Sequence, residues 1–152
     1  MSDTHRIESL PVLVLYPHSR CNCRCIMCDI WKIGTVEEIG ISDLERHARD
    51  IEALGVRWAV FSGGEPLMHS DLFRLSERMR ERGIRTTILS NGLLLSRNAS
   101  AAVRSVDDVI LSLDRGIQRG AVREGCRVIL ASAGIGFIYG AALIQWGPAG
   151  KG

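Results

Sequence analysis

A strong charge of either sign is missing from this sequence. Its 152 residues carry 19 Lys and Arg against 17 Asp and Glu, a formal net charge of only +2. That balance gives no electrostatic reason to expect nucleic acid as a partner. Residues 1–30 also lack the apolar core of a secretory leader, because charged and polar residues run through them. We therefore expect a cytoplasmic protein, with a length and apolar content that suit one domain.

Cysteine is nearly absent outside one short stretch. Four of the five cysteines fall within residues 21–28, and the fifth is Cys126. No histidines stand in a paired ligand spacing and no second cysteine pair follows, so the pattern of a structural zinc site is missing. The clustered cysteines, with no leader before them, also favour a reducing compartment.

Three of the clustered cysteines, Cys21, Cys25 and Cys28, form a C-x3-C-x2-C pattern. Thiolates packed this closely repel one another unless a cation neutralises them. An iron–sulfur core can take all its ligands from one compact loop, because the inorganic core spreads the thiolates around itself. Three ligands on a four-iron cluster would leave one iron open for a substrate or cofactor.

Apolar runs and amphipathic stretches alternate along the chain. The run at 11–16 is nearly continuous, which is typical of a strand buried on both faces. Ser42 and Glu45 have the spacing of a capping box and predict a helix start. The predicted strands are 11–16, 57–61, 86–89 and 108–114, and the predicted helices are 42–54, 70–82 and 96–103. Alternation of this kind indicates parallel strands joined by right-handed crossovers, which both a doubly wound sheet and a barrel satisfy.

Four motifs follow the predicted strands. They are the cysteine loop, Gly63-Gly64-Glu65-Pro66, Ser90-Asn91-Gly92 and Ser112-Leu113-Asp114. In either fold, ligands bind at the carboxyl ends of parallel strands. The missing β-carbons of the two glycines would let backbone carbonyls approach a ligand, although the segment also fits a simple turn. Asp114 fits a helix cap as well as a ligand contact.

Together these motifs resemble the radical S-adenosylmethionine (radical SAM) family. The resemblance covers about residues 11–114 and implies an α/β fold, a partial (β/α) barrel with about four βα units present. It implies that Cys21, Cys25 and Cys28 hold a [4Fe-4S] cluster whose open iron binds the methionine part of SAM. One electron would then split SAM into methionine and a 5′-deoxyadenosyl radical, which abstracts hydrogen from an unknown substrate.

The resemblance also implies a SAM site and a redox partner. The Gly-Gly-Glu-Pro segment would hold the methionine ammonium group, the residues after the third and fourth strands would complete the site, and Met27 would pack on adenine where many members carry an aromatic residue. The residues implied in SAM binding are Met27, Gly63, Gly64, Glu65, Pro66, Asn91, Ser112 and Asp114. Cys23 is interpreted as a bystander thiol. A reductant such as a flavodoxin or ferredoxin would supply the electron.

The end of the chain has a different character. We divide the sequence into an arm at 1–10, a radical SAM core at 11–114 and a glycine-rich apolar tail at 115–152. Residues 128–150 carry no charge and lack strand-like alternation, and their length would allow a membrane helix, although the stretch contains several glycines and a proline. We expect an abnormal end such as a frameshift or a gene fragment, with a membrane anchor as the second interpretation.

Three functions of different classes remain open at this point. The first is a radical SAM enzyme or a truncated relative, which we expect to assemble a cluster but to turn over SAM poorly or not at all. The second is a non-catalytic iron–sulfur electron carrier or scaffold that uses all four loop cysteines. The third is a misfolded or inert fragment.

Overall fold

A four-stranded parallel sheet forms the centre of the molecule. The computed structural model describes residues 7–25, 28–33, 37–112, 125, 127–133 and 139–145. The sheet has the order β1-β2-β3-β4, with β1 at Val12–Leu15, β2 at Trp58–Phe61, β3 at Arg85–Ser90 and β4 at Asp108–Leu111. Each strand lies beside its predecessor in the chain, without the reversal of order that defines a doubly wound sheet. The sheet therefore has the arrangement of a barrel wall.

Four helices pack on the sheet. They are α1 (Ile41–Arg46), α2 (Ala48–Ala53), α3 (Leu72–Glu81) and α4 (Leu95–Ser105). Right-handed crossovers between strands in sequential order place the helices on one face of the sheet. The apolar side chains of all four helices join sheet residues in one buried core, whose members include Leu44, Ile51, Leu72, Leu75, Met79, Ala102, Ala59, Phe61 and Ile88.

The first predicted helix is wrong in two respects. It is two helices, separated at His47, and α1 begins after Gly40 instead of Ser42. The Gly40 N–H donates to Asp43 Oδ2 at 2.9 Å. A carboxylate at the third helical position can reach back to the amide of the capping residue, so Asp43 takes the role that we expected of Glu45.

Strand β1 is covered on one face only, which corrects the prediction that both of its faces are buried. Leu13 and Leu15 pack against the core. Val14 and Tyr16 point the other way and are 54% and 62% exposed. The face of the sheet opposite the helices is thus open at β1 in the described part of the chain.

Part of the tail forms a β-hairpin, although its sequence lacks strand-like alternation. Strands β5 (Arg127–Ala133) and β6 (Tyr139–Gln145) pair antiparallel in a sheet of their own. Within the described residues, no helix is long and apolar enough to cross a membrane. The division of the chain at residues 10 and 114 stays a prediction.

Candidate functional site

The loops that follow the strands meet at the carboxyl edge of the sheet. The Ser62 N–H donates to Leu15 O at 2.8 Å, and the Ser112 N–H donates to Ser90 O at 2.8 Å. These bonds continue the ladders of the sheet beyond the strand ends and keep neighbouring loops together. Met27 and Asp114, both implied in SAM binding by the resemblance, lie outside the described residues.

Glu65 joins the loop after β2 to the loop after β3. Its side chain is almost completely enclosed, with 1% of the residue exposed. Oε1 accepts hydrogen bonds from Ser90 Oγ at 2.7 Å and from the Leu67 N–H at 3.1 Å, and Oε2 accepts from the Asn91 N–H at 2.8 Å. Pro66 is also buried and opens a single 3₁₀ turn. A contact between Glu65 and SAM stays a prediction, and the observed role of the carboxylate is to tie the two loops together.

Asn91 connects the loop after β3 to the cysteine loop. Its Nδ2 donates to Asn22 Oδ1 at 2.7 Å, and its Oδ1 accepts from the Leu93 N–H at 3.0 Å. Asn22 stands between Cys21 and Cys23, and we had given it no role from the sequence. Its position inside the cysteine motif was the available signal.

The two glycines of the loop after β2 lie against the segment that leads into the cysteines. The Glu65 N–H donates to Arg20 O at 2.7 Å and the Gly64 N–H to His18 O at 3.3 Å. The space that a side chain at Gly64 would need is filled by the backbone of Arg20. The side of Gly64 on which a side chain would stand therefore packs against the backbone of Arg20. From the sequence we expected this side to face a ligand.

The predicted cluster ligands are three free thiols on one loop. Cys25 and Cys28 are exposed, whereas Cys21 is half-buried. Burial raises the pKa of the Cys21 thiol, and the nearby carboxylate of Glu65 adds to that effect. In the described part of the chain, no three His, Cys, Asp or Glu side chains are grouped closely enough to hold a metal ion. The residues fit an iron–sulfur cluster by the chemistry of their donors and their common loop, and not by a preformed ligand geometry.

Arg20 anchors the start of the cysteine loop, a role that we did not predict from the sequence. Its guanidinium is paired with Glu38 and donates to Met68 O at 3.1 Å. Its backbone N–H donates to His18 Nδ1 at 3.0 Å. The one sequence feature that could have indicated this role is the position of Arg20 directly before Cys21.

Two buried histidines lie behind this anchor. The ring centroids of His18 and His69 are 5.5 Å apart. Burial lowers the pKa of both imidazoles, and the neighbouring His69 and Arg20 lower that of His18 further. Each Nδ1 accepts a backbone N–H, from Arg20 and from Asp71, which requires an unprotonated Nδ1. Each imidazole thus holds the backbone two residues further along the chain.

Comparison with known proteins identifies the family of this chain. A family model described as "Radical SAM superfamily" matches residues 15–128. This chain belongs to the radical SAM superfamily. It is 33% identical over 101 residues to Fe-coproporphyrin III synthase of Methanosarcina barkeri, a match that covers 65% of this chain and 25% of the relative. It is 35% identical over 116 residues to a probable GTP 3′,8-cyclase of Methanothermobacter marburgensis, covering 74% of this chain and 37% of the relative.

Solved structures place the fold in the same superfamily. The crystal structure of Streptococcus suis SuiB bound to S-adenosylmethionine matches with a TM-score of 0.61 and 28% identity, over 70% of this chain and 25% of SuiB. The chain thus spans about a quarter to somewhat more than a third of the length of the curated relatives it matches. Radical SAM proteins use a [4Fe-4S] cluster and SAM, as we expected from the resemblance.

Proposed function

We propose that this chain binds a [4Fe-4S] cluster through Cys21, Cys25 and Cys28 and binds SAM beside it. When bound, the cluster and SAM supply reductive cleavage of the sulfonium to methionine and a 5′-deoxyadenosyl radical. The electron comes from an external reductant such as a flavodoxin or ferredoxin. A cytoplasmic location is part of the same proposal, since exposed free thiols of this kind belong in a reducing compartment.

One observation carries the proposal beyond family membership: hydrogen bonds join the three motif loops. Glu65 binds the loop after β3, and Asn91 binds Asn22 within the cysteine loop. A cofactor that touches both the cluster and the strand ends needs these loops at fixed positions. The chain supplies that fixation with its own side chains.

The residues divide into three roles in this proposal. The three exposed or half-buried thiols hold the cluster. The backbone of the loop after β2 and the residues Asn91, Ser112 and Asp114, with Met27, line the SAM site. Glu65 acts mainly by holding two of these loops in register, because both of its oxygens already accept hydrogen bonds from the chain.

The relatives do not indicate one substrate for this chain, because their names give different substrates. Their names include a porphyrin synthase, GTP cyclases and a peptide cyclase. SuiB has also been solved with its precursor peptide SuiA. These chemistries share the radical step and not the substrate.

Burial of Cys23 supports three thiol ligands over the four of an electron carrier. Cys23 is 4% exposed, whereas Cys25 and Cys28 are open to solvent. A cluster that forms on the exposed side of the loop reaches those two thiols without moving the core.

SAM binding to the loaded protein tests the proposal. After anaerobic reconstitution and reduction, addition of SAM should change the EPR spectrum of the cluster, and formation of 5′-deoxyadenosine with dithionite should be slow or absent. A Cys25→Ala variant, treated identically, is the control and should show no spectral response to SAM. A loaded cluster whose spectrum does not respond to SAM would contradict the proposal and would favour the electron carrier.

A further inference from the structure

We propose that Gly64 is a positioning residue for the cluster ligands. Its missing side chain lets the segment His18–Arg20 lie against the loop after β2, and this contact sets the position of Cys21. The inference rests on the proposed function for the identity of the cluster. The packing itself is independent of any bound group.

The contact leaves no room for a side chain. A β-carbon built on Gly64 would overlap the carbonyl oxygen of Arg20 and lie 2.6 Å from its carbonyl carbon and 2.8 Å from that of Ser19. Real β-carbons essentially never approach heavy atoms closer than 3.0 Å. The atoms in the way belong to backbone, so a rotamer change cannot relieve the overlap.

The backbone of Arg20 is held in place from several sides. Its carbonyl accepts the Glu65 N–H at 2.7 Å, next to the point of contact. Its side chain is fixed by Glu38 and by Met68 O. A β-carbon at position 64 would have to break this anchor or displace the loop after β2, and either movement shifts the residue directly before Cys21.

The requirement for glycine at 64 comes from this contact and not from the backbone conformation. Gly63, Gly83 and Gly92 have φ values of +95°, +73° and +79°, whereas Gly64 is not among the described residues with positive φ. Alanine would therefore fit the backbone of position 64 without strain. Gly83 is the opposite case, since its φ is strained for alanine but nothing lies within 4 Å of an added β-carbon.

These two glycines provide a matched pair of variants. Gly64→Ala should displace Cys21, whereas Gly83→Ala should lose some stability through backbone strain and leave the loop unchanged. The first readout needs no cluster. In the reduced apo-protein, the alkylation rate of each loop cysteine is followed by mass spectrometry, and Cys21, half-buried in the wild type, should react severalfold faster in Gly64→Ala.

The second readout is the iron content after anaerobic reconstitution. Displaced supporting residues typically cost about 10- to 100-fold in metal affinity, so Gly64→Ala should load little iron at concentrations that fill the wild type and Gly83→Ala. A purely SAM-binding role for Gly64 predicts the reverse: full iron loading with weakened SAM binding.

The outcomes separate the inference from the proposed function. An unchanged Cys21 alkylation rate in folded Gly64→Ala, judged by circular dichroism, overturns the inference whatever happens to the cluster. A wild type that takes up no iron overturns the proposed function, while faster Cys21 alkylation in Gly64→Ala still supports the packing role. Should Gly64→Ala not fold, Gly63→Ala serves instead, because its β-carbon would lie 2.9 Å from His18 O. Cys21 alkylation no faster in Gly63→Ala than in Gly83→Ala then overturns the inference.

Discussion

The loop after β2 and the loop after β1 are held in opposite ways. The loop after β2 is enclosed: Glu65, Pro66 and Leu67 are buried, and the Glu65 carboxylate accepts three hydrogen bonds from the chain. The loop after β1 exposes Cys25 and Cys28 to solvent. In the loop after β2, the buried carboxylate is hydrogen-bonded by the protein itself. In the loop after β1, the exposed thiols are available to bind a ligand.

The two loops should therefore contribute differently to stability and to cluster binding. Substitutions that break the contacts of the buried loop should destabilise the fold whether or not a cluster is present. The exposed loop should contribute little to the stability of the apo-protein and should decide cluster binding. The two regions are joined directly at Arg20, whose carbonyl accepts the Glu65 N–H. They are joined indirectly through Asn91 of the loop after β3, which binds both Glu65 and Asn22.

The largest effect on stability is expected at Glu65. Glu65→Ala leaves Ser90 Oγ and two backbone N–H groups without their acceptor, and each unsatisfied buried group costs about 1–3 kcal/mol. Part of that cost is relieved by water at the half-buried Asn91, so we expect the free energy of unfolding to fall by about 2–4 kcal/mol. Urea unfolding of the apo-protein measures it.

Cys25→Ala is the control for this experiment, and it should change the same free energy by less than about 0.5 kcal/mol because the thiol is exposed. Glu65→Gln, which keeps one acceptor oxygen, should fall between the two. Equal losses for Glu65→Ala and Cys25→Ala would contradict the difference between the loops.

A smaller effect is expected from the buried histidines that support the anchor. Burial lowers the pKa of His18 and His69 from the ordinary value of about 6.5. The unfolded chain therefore takes up protons at these imidazoles at a higher pH than the folded chain. The free energy of unfolding is at its full value above about pH 6.5 and falls as the pH is lowered toward the folded-state pKa values.

The variant His69→Asn keeps a side-chain acceptor for the Asp71 N–H and removes one of the two titrating groups. Its unfolding free energy should fall less between about pH 7 and pH 5 than that of the wild type. A His69→Asn variant with the full slope would show that burial of His69 is not the cause.

The smallest effect is expected at the bond between the loops. A double-mutant cycle with Asn22→Ala and Asn91→Ala should give a coupling free energy of about 0.5–1.5 kcal/mol in the apo-protein, since it isolates one hydrogen bond. Asn22→Ala combined with Asn98→Ala should be additive, because Asn98 bonds to Leu94 O and shares no partner with Asn22. Additivity in both pairs would mean that the loops are not coupled through Asn22.

The sequence was sufficient for strands β1 to β4 and for the placement of the motifs. Buried apolar runs separated by amphipathic stretches indicated parallel strands joined by right-handed crossovers, and the resemblance to the radical SAM family favoured the barrel order over the doubly wound one. Because ligands gather at the carboxyl ends of such strands, Cys21, Gly64, Asn91 and Ser112 could be placed together before any contact was known.

The contacts between the loops could not be predicted, because they depend on residues far apart in the chain. Asn22 and Asn91 are 69 residues apart, and neither carries a local pattern that points to the other. A continuous apolar run such as 12–15 also does not tell which face the helices cover. In the tail, β5 and β6 pair antiparallel, which period-2 alternation did not reveal.

Iron content across the four loop cysteines shows which thiols hold the cluster. Single Cys→Ala variants of Cys21, Cys23, Cys25 and Cys28 are reconstituted anaerobically, and iron per chain and the EPR signal of the reduced cluster are measured. We predict that Cys23→Ala loads like the wild type and that the other three lose the four-iron signal, while all four apo-proteins remain folded. Loss of the cluster in Cys23→Ala equal to that in Cys25→Ala, or full loading in all four variants, would contradict the assignment of the three ligands.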